Sequence, residues 1–301
     1  MNAIEIRGLN KCFGEKKALD NFSMTVPQGA IYGFIGENGS GKSTTEKIIC
    51  GLIKHSGGEV KLFDRDYMDS DVKSKIGVLI EAPGCFPNMT VWNNLMLHAS
   101  NLGIKDKQDE IIRVLKLVRM EGAASNKYKN CSLGMKQRVG IALALMGSPK
   151  LLILDEPING LDADGMRIMR EVLVDLSKSG ITILISSHIL GELEKIATHV
   201  GIIRGGKMIK EMSADELWNS CPTYIKLKAS SEKTKLTLIK RYSSVMSDEN
   251  GYIRVYDSVD SESVVTYLYE NGITVSEIKE DKVSLEEYYI DLMKEKNEYE
   301  L

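Results

Sequence analysis

The chain has 301 residues, 43% of them hydrophobic and 27% charged, with a formal net charge of −3. That length allows one large domain or two of ordinary size, and the composition is globular, so a packed core is expected. The slightly acidic balance gives no support to wholesale nucleic-acid binding. Five scattered cysteines without a C-x-x-C pair argue against a disulfide framework or zinc and suit a reducing cytosol.

The opening MNAIEIRGLNKCFG has no apolar core of the kind a signal peptide needs. AIEIRGLNKCF and FSMTVPQGAIYGFIG alternate or run apolar and predict strands. A glycine loop follows, and then STTEKIICGLI, which predicts a helix. KIGVLIEAPG is a short strand ending in a turn, and from about Val91 to Met146 the pattern is helical. LLILDEP and ITILISSH read as buried parallel strands, with the helix ADGMRIMREVLVDLSKSG between them. The apolar face of that helix, Met166, Met169, Val172 and Leu173, is core. VGIIRGGKMIKEM turns as a hairpin at Gly205-Gly206. Near Ser213 the character shifts to YIKLKAS, a basic helix, YIRVYDS, SESVVTYLYENG and ITVSEIKEDKVS, then a charged final helix ending in MKEKNEYEL. The boundaries read as 1–212 for the larger domain and 213–301 for a small α+β domain. The longest uncharged apolar run, within Val139 to Pro149, falls well short of the ~20 residues a spanning helix needs. The chain is expected to be soluble by itself.

The loop GENGSGKST fits G-x-x-x-x-G-K-[ST] on Gly36, Gly41, Lys42 and Ser43. A triphosphate is a dense negative charge, and a protein must replace its water with fixed donors. Glycines let backbone N–H groups point inward, and the following helix N-terminus adds its dipole. Lys42 then reaches the β- and γ-phosphates, and Ser43 offers its hydroxyl to Mg²⁺. Average residue usage gives on the order of one chance match per hundred chains of this length, and the flanking strand and helix lower that further.

LLILDEP places Asp155 and Glu156 at the end of an apolar strand, where open α/β sheets bind ligands. Asp155 is the candidate to hold Mg²⁺ through water, and Glu156 the candidate general base for a water attacking phosphate. Taken alone, the pair is also a common helix-capping sequence. His188 follows the strand ITILISS and lies at the same end of the sheet if the strands are parallel. His55, His98 and His199 have no such position and read as structural. In CSLGMKQR, Ser132 is a candidate N-cap and Gly134 allows close backbone approach. A capped helix would explain that stretch as well as a phosphate contact.

Taken together, these stretches resemble the ATPase subunit of an ABC transporter, in that family's order, across roughly Ala3 to Met212. NKCFGEKKALDNFSM resembles the entry loop whose aromatic, here Phe13, stacks on adenine. GENGSGKST matches the Walker A loop, LIEAPG the Q-loop, CSLGMKQR the signature, LLILDEP the Walker B strand, NGLDADG the D-loop, and His188 the switch histidine.

The resemblance implies a P-loop ATPase core of α/β class, with an antiparallel β subdomain and a helical subdomain at about 83–146. It implies ATP contacts from Phe13 and from Gly36, Glu37, Asn38, Gly39, Ser40, Gly41, Lys42, Ser43 and Thr44. Two copies bind head to tail, so Ser132 and Gly134 meet the partner copy's γ-phosphate and Asp162 communicates across the interface. A separate permease supplies the membrane spans, with the ATPase on the cytoplasmic face.

The sequence departs from the family pattern in three places. Glu81 replaces the Q-loop glutamine, the signature reads Ser132-Leu133-Gly134-Met135, and Ala163 stands where proline is usual. A carboxylate beside a triphosphate is repulsive unless Mg²⁺ or a proton offsets it, so Glu81 is a candidate to bind Mg²⁺ directly; a near-neutral swap at a flexible joint would also explain it. IGVLIEAPG around it resembles the bacitracin-export and lantibiotic-immunity branch. The competing class is a soluble ABC ATPase acting on ribosomes or DNA. Such proteins usually carry two cassettes or a long coiled-coil insertion, whereas this chain shows one cassette and no such insertion.

Overall fold

The computed structural model describes residues 1–229, 232–248, 251–257 and 260–295; the charged end MKEKNEYEL lies outside the described residues from 296 onward. The chain divides into two units, Met1–Ala214 and Asp215–Leu301.

In the first unit, strands β1 (Asn2–Phe13), β2 (Lys16–Pro27) and β3 (Ile31–Ile35) precede helix α1 (Lys42–Ile49). Then come β4 (Gly57–Leu62), β5 (Arg65–Asp66), α2 (Ser70–Lys73) and β6 (Ile76–Leu79). The helical stretch is α3 (Val91–Asn101), α4 (Lys107–Leu117) and α5 (Leu133–Leu145). After it follow β7 (Leu151–Asp155), α6 (Ala163–Lys178), β8 (Thr182–Ser186), α7 (Leu190–Leu193), β9 (His199–Arg204) and β10 (Lys207–Ser213).

These strands make two sheets. An antiparallel sheet has the order β2-β1-β4-β5, and a six-stranded sheet has the order β10-β9-β3-β8-β7-β6. In the larger sheet β6, β7, β8, β3 and β9 run parallel, and β10 pairs antiparallel with β9. Every residue of β3 and β8 is buried, as continuous apolar runs must be when both faces of a parallel sheet are covered. Parallel strands bring their carboxyl ends to one edge, where the loops after β3, β7 and β8 emerge together.

A single apolar cluster joins the two sheets through α1. It includes Ile6, Phe22 and Met24 from the antiparallel sheet, Ile48 and Ile49 from α1, and Phe34, Ile153 and Leu184 from the parallel one. That packing fixes α1, and with it the loop that α1 terminates. Helix α5 buries Val139, Ile141, Ala142 and Leu145 and lies close on β6. A Cβ built on Gly77 would sit 2.0 Å from the Ala144 carbonyl oxygen, so the strand accepts the helix backbone only because position 77 has no side chain. On α6, Met169, Val172 and Leu173 are buried and Met166 is half-buried. Strand β4 escapes a pattern reading because GGEVKL opens on two glycines, yet it pairs with β1 from Ile4↔Leu62 to Asn10↔Gly57.

Helix α8 (Ala214–Ser220) leads to β11 (Thr223–Ala229), α9 (Glu232–Ile239), β12 (Val245–Ser247), β13 (Ile253–Val255), α10 (Ser261–Glu270), β14 (Val275–Lys282) and α11 (Leu285–Glu295). The sheet order β12-β13-β11-β14, antiparallel throughout, with helices between β11 and β12 and between β13 and β14, is the split βαβ arrangement of ferredoxin-like domains. Its core gathers Ile225, Leu227, Leu238, Val255, Val264 and Leu268. No helix among the described residues is long and apolar enough to cross a membrane.

Candidate nucleotide-binding and catalytic site

The glycine loop leaves β3 at Gly36 and enters α1 at Lys42, with Gly41 as the helix N-cap at φ 117°. A side chain at Gly41 would meet Leu19 Cδ2 at 2.8 Å and the Ala18 carbonyl at 2.9 Å; one at Gly36 would meet the Ile203 carbonyl at 2.5 Å. The loop is thus clamped between β2 and the β9–β10 hairpin, which also donates Gly206 N–H to the Ser40 carbonyl at 2.8 Å. The two glycines of the motif are needed for close packing as well as for backbone freedom.

Lys42 is 7% exposed and its Nζ donates to the carbonyls of Gly36 at 2.5 Å and Glu37 at 3.1 Å. Burial pulls its pKa down, opposed first by the charge of Glu156. A cleft of about 390 Å³ opens beside it, lined by Phe13, Lys16, Gly39, Ser43, Asp155 and Glu156 among others. Phe13 is half exposed at the rim, with Lys11 Nζ 4.8 Å from its ring centroid.

Asp155 ends β7 in register with Ser186 of β8, and the Ser186 hydroxyl donates to Asp155 Oδ1 at 2.7 Å. Glu156 turns sharply, at φ 50°, and its N–H donates to the Ser186 carbonyl at 3.1 Å. A left-handed non-glycine residue is a strained choice of the sort found at functional sites. His188 follows β8 and places Nδ1 2.8 Å from Glu156 Oε2.

The signature and D-loop residues stand apart from that cleft. Ser132 caps α5 by accepting from Met135 N–H at 3.2 Å, and Asp162 caps α6 by accepting from Gly165 N–H at 2.8 Å. The two turns touch, since a Cβ on Gly160 would meet Leu133 Cδ2 at 3.0 Å and one on Gly134 would meet Leu161 Cδ2 at 3.7 Å. Glu81 also lies outside the cleft. It is exposed, adopts φ 64°, and pairs with Lys47 on α1 at 3.1 Å, so the carboxylate is offset by a lysine of the same chain.

Two residues at the site carry no motif. Ser186 reads as one more small residue of a strand. Glu46 stands in STTEKII, where the buried spacing of α1 calls for an apolar side chain, and this misplaced charge is the only signal that marks it.

A glycine loop between a buried strand and a helix, with an Asp-Glu pair ending a nearby parallel strand, defines a P-loop nucleotide-binding protein. The ABC transporter family matches residues 19–159. The bacitracin transport ATP-binding protein of Bacillus licheniformis is 38% identical over 297 residues, covering 96% of this chain and 97% of that protein. The lantibiotic transport ATP-binding protein of Streptococcus pyogenes is 41% identical over 212 residues, covering 70% of this chain and 91% of that protein. The structure of cbiO1 from Clostridium perfringens, described as part of an ABC transporter complex, superposes with a TM-score of 0.67 at 27% identity, covering 73% of this chain and 91% of that one. The chain belongs to the ATP-binding proteins of the ABC transporter family; it binds ATP and is an ATPase.

Proposed function

We propose that the chain powers, from the cytoplasmic face of the membrane, a separate permease that exports a peptide antibiotic of the bacitracin or lantibiotic type. The observation that carries the cargo is the end-to-end match with the bacitracin transport protein, which extends through both units of the chain. Residues 1–212 form the ATPase cassette, and residues 213–301 are an accessory domain.

In this reading the amides of Gly36 to Thr44 cradle the phosphates, Lys42 releases its loop carbonyls to meet the β- and γ-phosphates, and Phe13 stacks on adenine. Ser43 and Asp155 line one cleft and offer the hard oxygen donors that Mg²⁺ takes beside phosphate. Once bound there, Mg²⁺ would offset charge on the phosphate oxygens. Glu156 accepts the proton of the attacking water, and His188, held against it through Nδ1, orients that carboxylate and the γ-phosphate. Glu81 is assigned to the joint between α1 and β6, where Lys47 holds it.

Ser132, Gly134 and Asp162 lie in touching turns outside the cleft and meet the ATP of a second, head-to-tail copy. ATP then favours the closed dimer because it binds both copies at once, and hydrolysis removes that preference. A second cleft of about 390 Å³, lined by Leu79, Pro83, Phe86, Leu97 and Leu143 among others, is the seat for a permease helix.

The test is a deletion strain exposed to bacitracin and to lantibiotics. Sensitivity that returns to normal with the wild-type gene, and not with Glu156→Gln, is expected. A strain indifferent to both antibiotic types would refute the cargo, and a Glu156→Gln protein that hydrolyses ATP at the wild-type rate would refute the base.

A further inference from the structure

Helix α1 turns Thr45, Ile48 and Ile49 into the core, and Glu46 goes with them. Its side chain is 0% exposed. Burying a carboxyl among apolar groups is costly unless it is hydrogen-bonded or neutral. Burial, and next the charge of Asp155, push its pKa up to about 8. The Ser186 hydroxyl first, and then Lys42, pull the other way, and Glu156 adds to the rise. Neither carboxyl oxygen completes a hydrogen bond of ordinary geometry among the described residues; the side-chain hydroxyl it faces is Ser186.

The hydrogen inventory of Ser186 decides what Glu46 can do. A serine hydroxyl has one hydrogen and two lone pairs. That hydrogen goes to Asp155 Oδ1 at 2.7 Å. Of the two lone pairs left on Oγ, one faces the Glu156 N–H at 3.4 Å; a partner of the other, on the Glu46 side, must donate. A carboxylate cannot donate; a carboxylic acid or an amide can.

We propose that Glu46 is a positioning residue for the ATPase reaction: its neutral carboxyl donates to Oγ of Ser186, which in turn fixes the carboxylate of Asp155 at the cleft. A donor on Oγ polarises the hydroxyl and strengthens its own bond to Asp155. The neutral form also spares Asp155 a like charge behind it. This rests on the reading of Asp155 as the metal-side carboxylate.

The test uses the full-length protein. Mn²⁺ affinity is measured in the presence of a non-hydrolysable ATP analogue, from the electron paramagnetic resonance of free Mn²⁺, together with nucleotide affinity in metal chelator and kcat and KM for ATP. Partners standing behind a metal ligand typically matter about 10-fold or more, so Glu46→Met is expected to weaken Mn²⁺ and lower kcat by about that factor, with KM and metal-free nucleotide affinity nearly unmoved. Glu46→Gln, which keeps a donor, recovers most of both losses. Ser186→Ala alone weakens Mn²⁺ to the same extent, and adding Glu46→Met to it costs nothing further.

Wild-type Mn²⁺ affinity in Glu46→Met overturns the proposal. So does failure of Gln to rescue, or losses that multiply in the double variant. If Glu46→Met does not fold, Glu46→Asp decides, because it keeps the acid but withdraws it by one methylene: lost Mn²⁺ affinity supports the link, and unchanged affinity ends it. Asp155→Asn separates the two readings. If that variant binds Mn²⁺ normally, the metal-side assignment fails; if it loses Mn²⁺ while Glu46→Met does not, only the Glu46 link fails.

Discussion

Nδ1 of His188 lies 2.8 Å from Oε2 of Glu156, although the two residues follow different strands. Parallel pairing of β7 with β8, in the register Asp155↔Ser186, brings them together. The contact joins the proposed base to the residue that would sense the γ-phosphate. A carboxylate held by a ring nitrogen is poised in one orientation, and losing that orientation should cost chemistry more than binding.

His188→Ala is therefore expected to keep ATP affinity and lower turnover. A positioned group in proton transfer is worth roughly 10²–10⁴-fold, and the lower end applies if Glu156 retains its own reach. Equilibrium nucleotide binding beside steady-state hydrolysis checks this. Normal turnover would mean that the 2.8 Å contact serves no step.

Glu81 and Lys47 form an ion pair whose side chains are 73% and 36% exposed. Exposed pairs of this kind contribute about 0.2–1 kcal/mol. Glu81→Gln should move the unfolding free energy by no more than that and leave nucleotide affinity nearly intact, while altering turnover through the joint between α1 and β6. Chemical denaturation and ATP titration on the same preparation provide the comparison; a collapse of ATP affinity would return Glu81 to the binding site.

A third expectation concerns stability alone. Glu110 on α4 accepts two hydrogen bonds from Arg113, each 2.7 Å, and the N–H of Gly147 beyond α5 at 2.9 Å. Arg113 also donates to the Leu145 carbonyl at 2.9 Å, so the pair ties α4 to the end of α5. Arg113 first, and then the Gly147 amide, hold the Glu110 carboxyl below its usual value of 4.5 against the cost of burial.

A carboxyl whose pKa is lowered on folding stabilises above its unfolded value, and that stabilisation is lost as pH falls through the folded one. Glu110→Gln should therefore cost about 1–2 kcal/mol at neutral pH. The gap between variant and wild type should close as pH drops below 4.5. Urea denaturation at a series of pH values reads the gap directly, and a pH-independent difference would show that charge is not its source.

Much of this is legible in the sequence. The loop at Gly36–Thr44, the strand ending in Asp155 and Glu156, the cap Ser132, and the hairpin at Gly205-Gly206 each depend on residues only a few positions apart. Local propensity and hydrophobic period settle such features. Strand β4 was not legible, because its two glycines and alternating charges carry no apolar face strong enough to read. Glu81 was legible as an oddity, but its partner was not. Its carboxylate pairs with Lys47 of α1, a contact between elements that no local pattern reveals.

Sequence by itself determined which chemical groups the ATPase has, since the glycines, the lysine, the hydroxyls and the carboxylates sit in short runs whose backbone state is fixed locally. Tertiary structure alone decided which of them meet. Strand order placed β8 between β3 and β7, so that Ser186 touches Asp155 and His188 touches Glu156. It also set the inward-facing Glu46 behind them, beside partners that no period along the chain can reveal. Contacts between strands far apart in sequence depend on sheet order and register, and those are set by how the whole core packs.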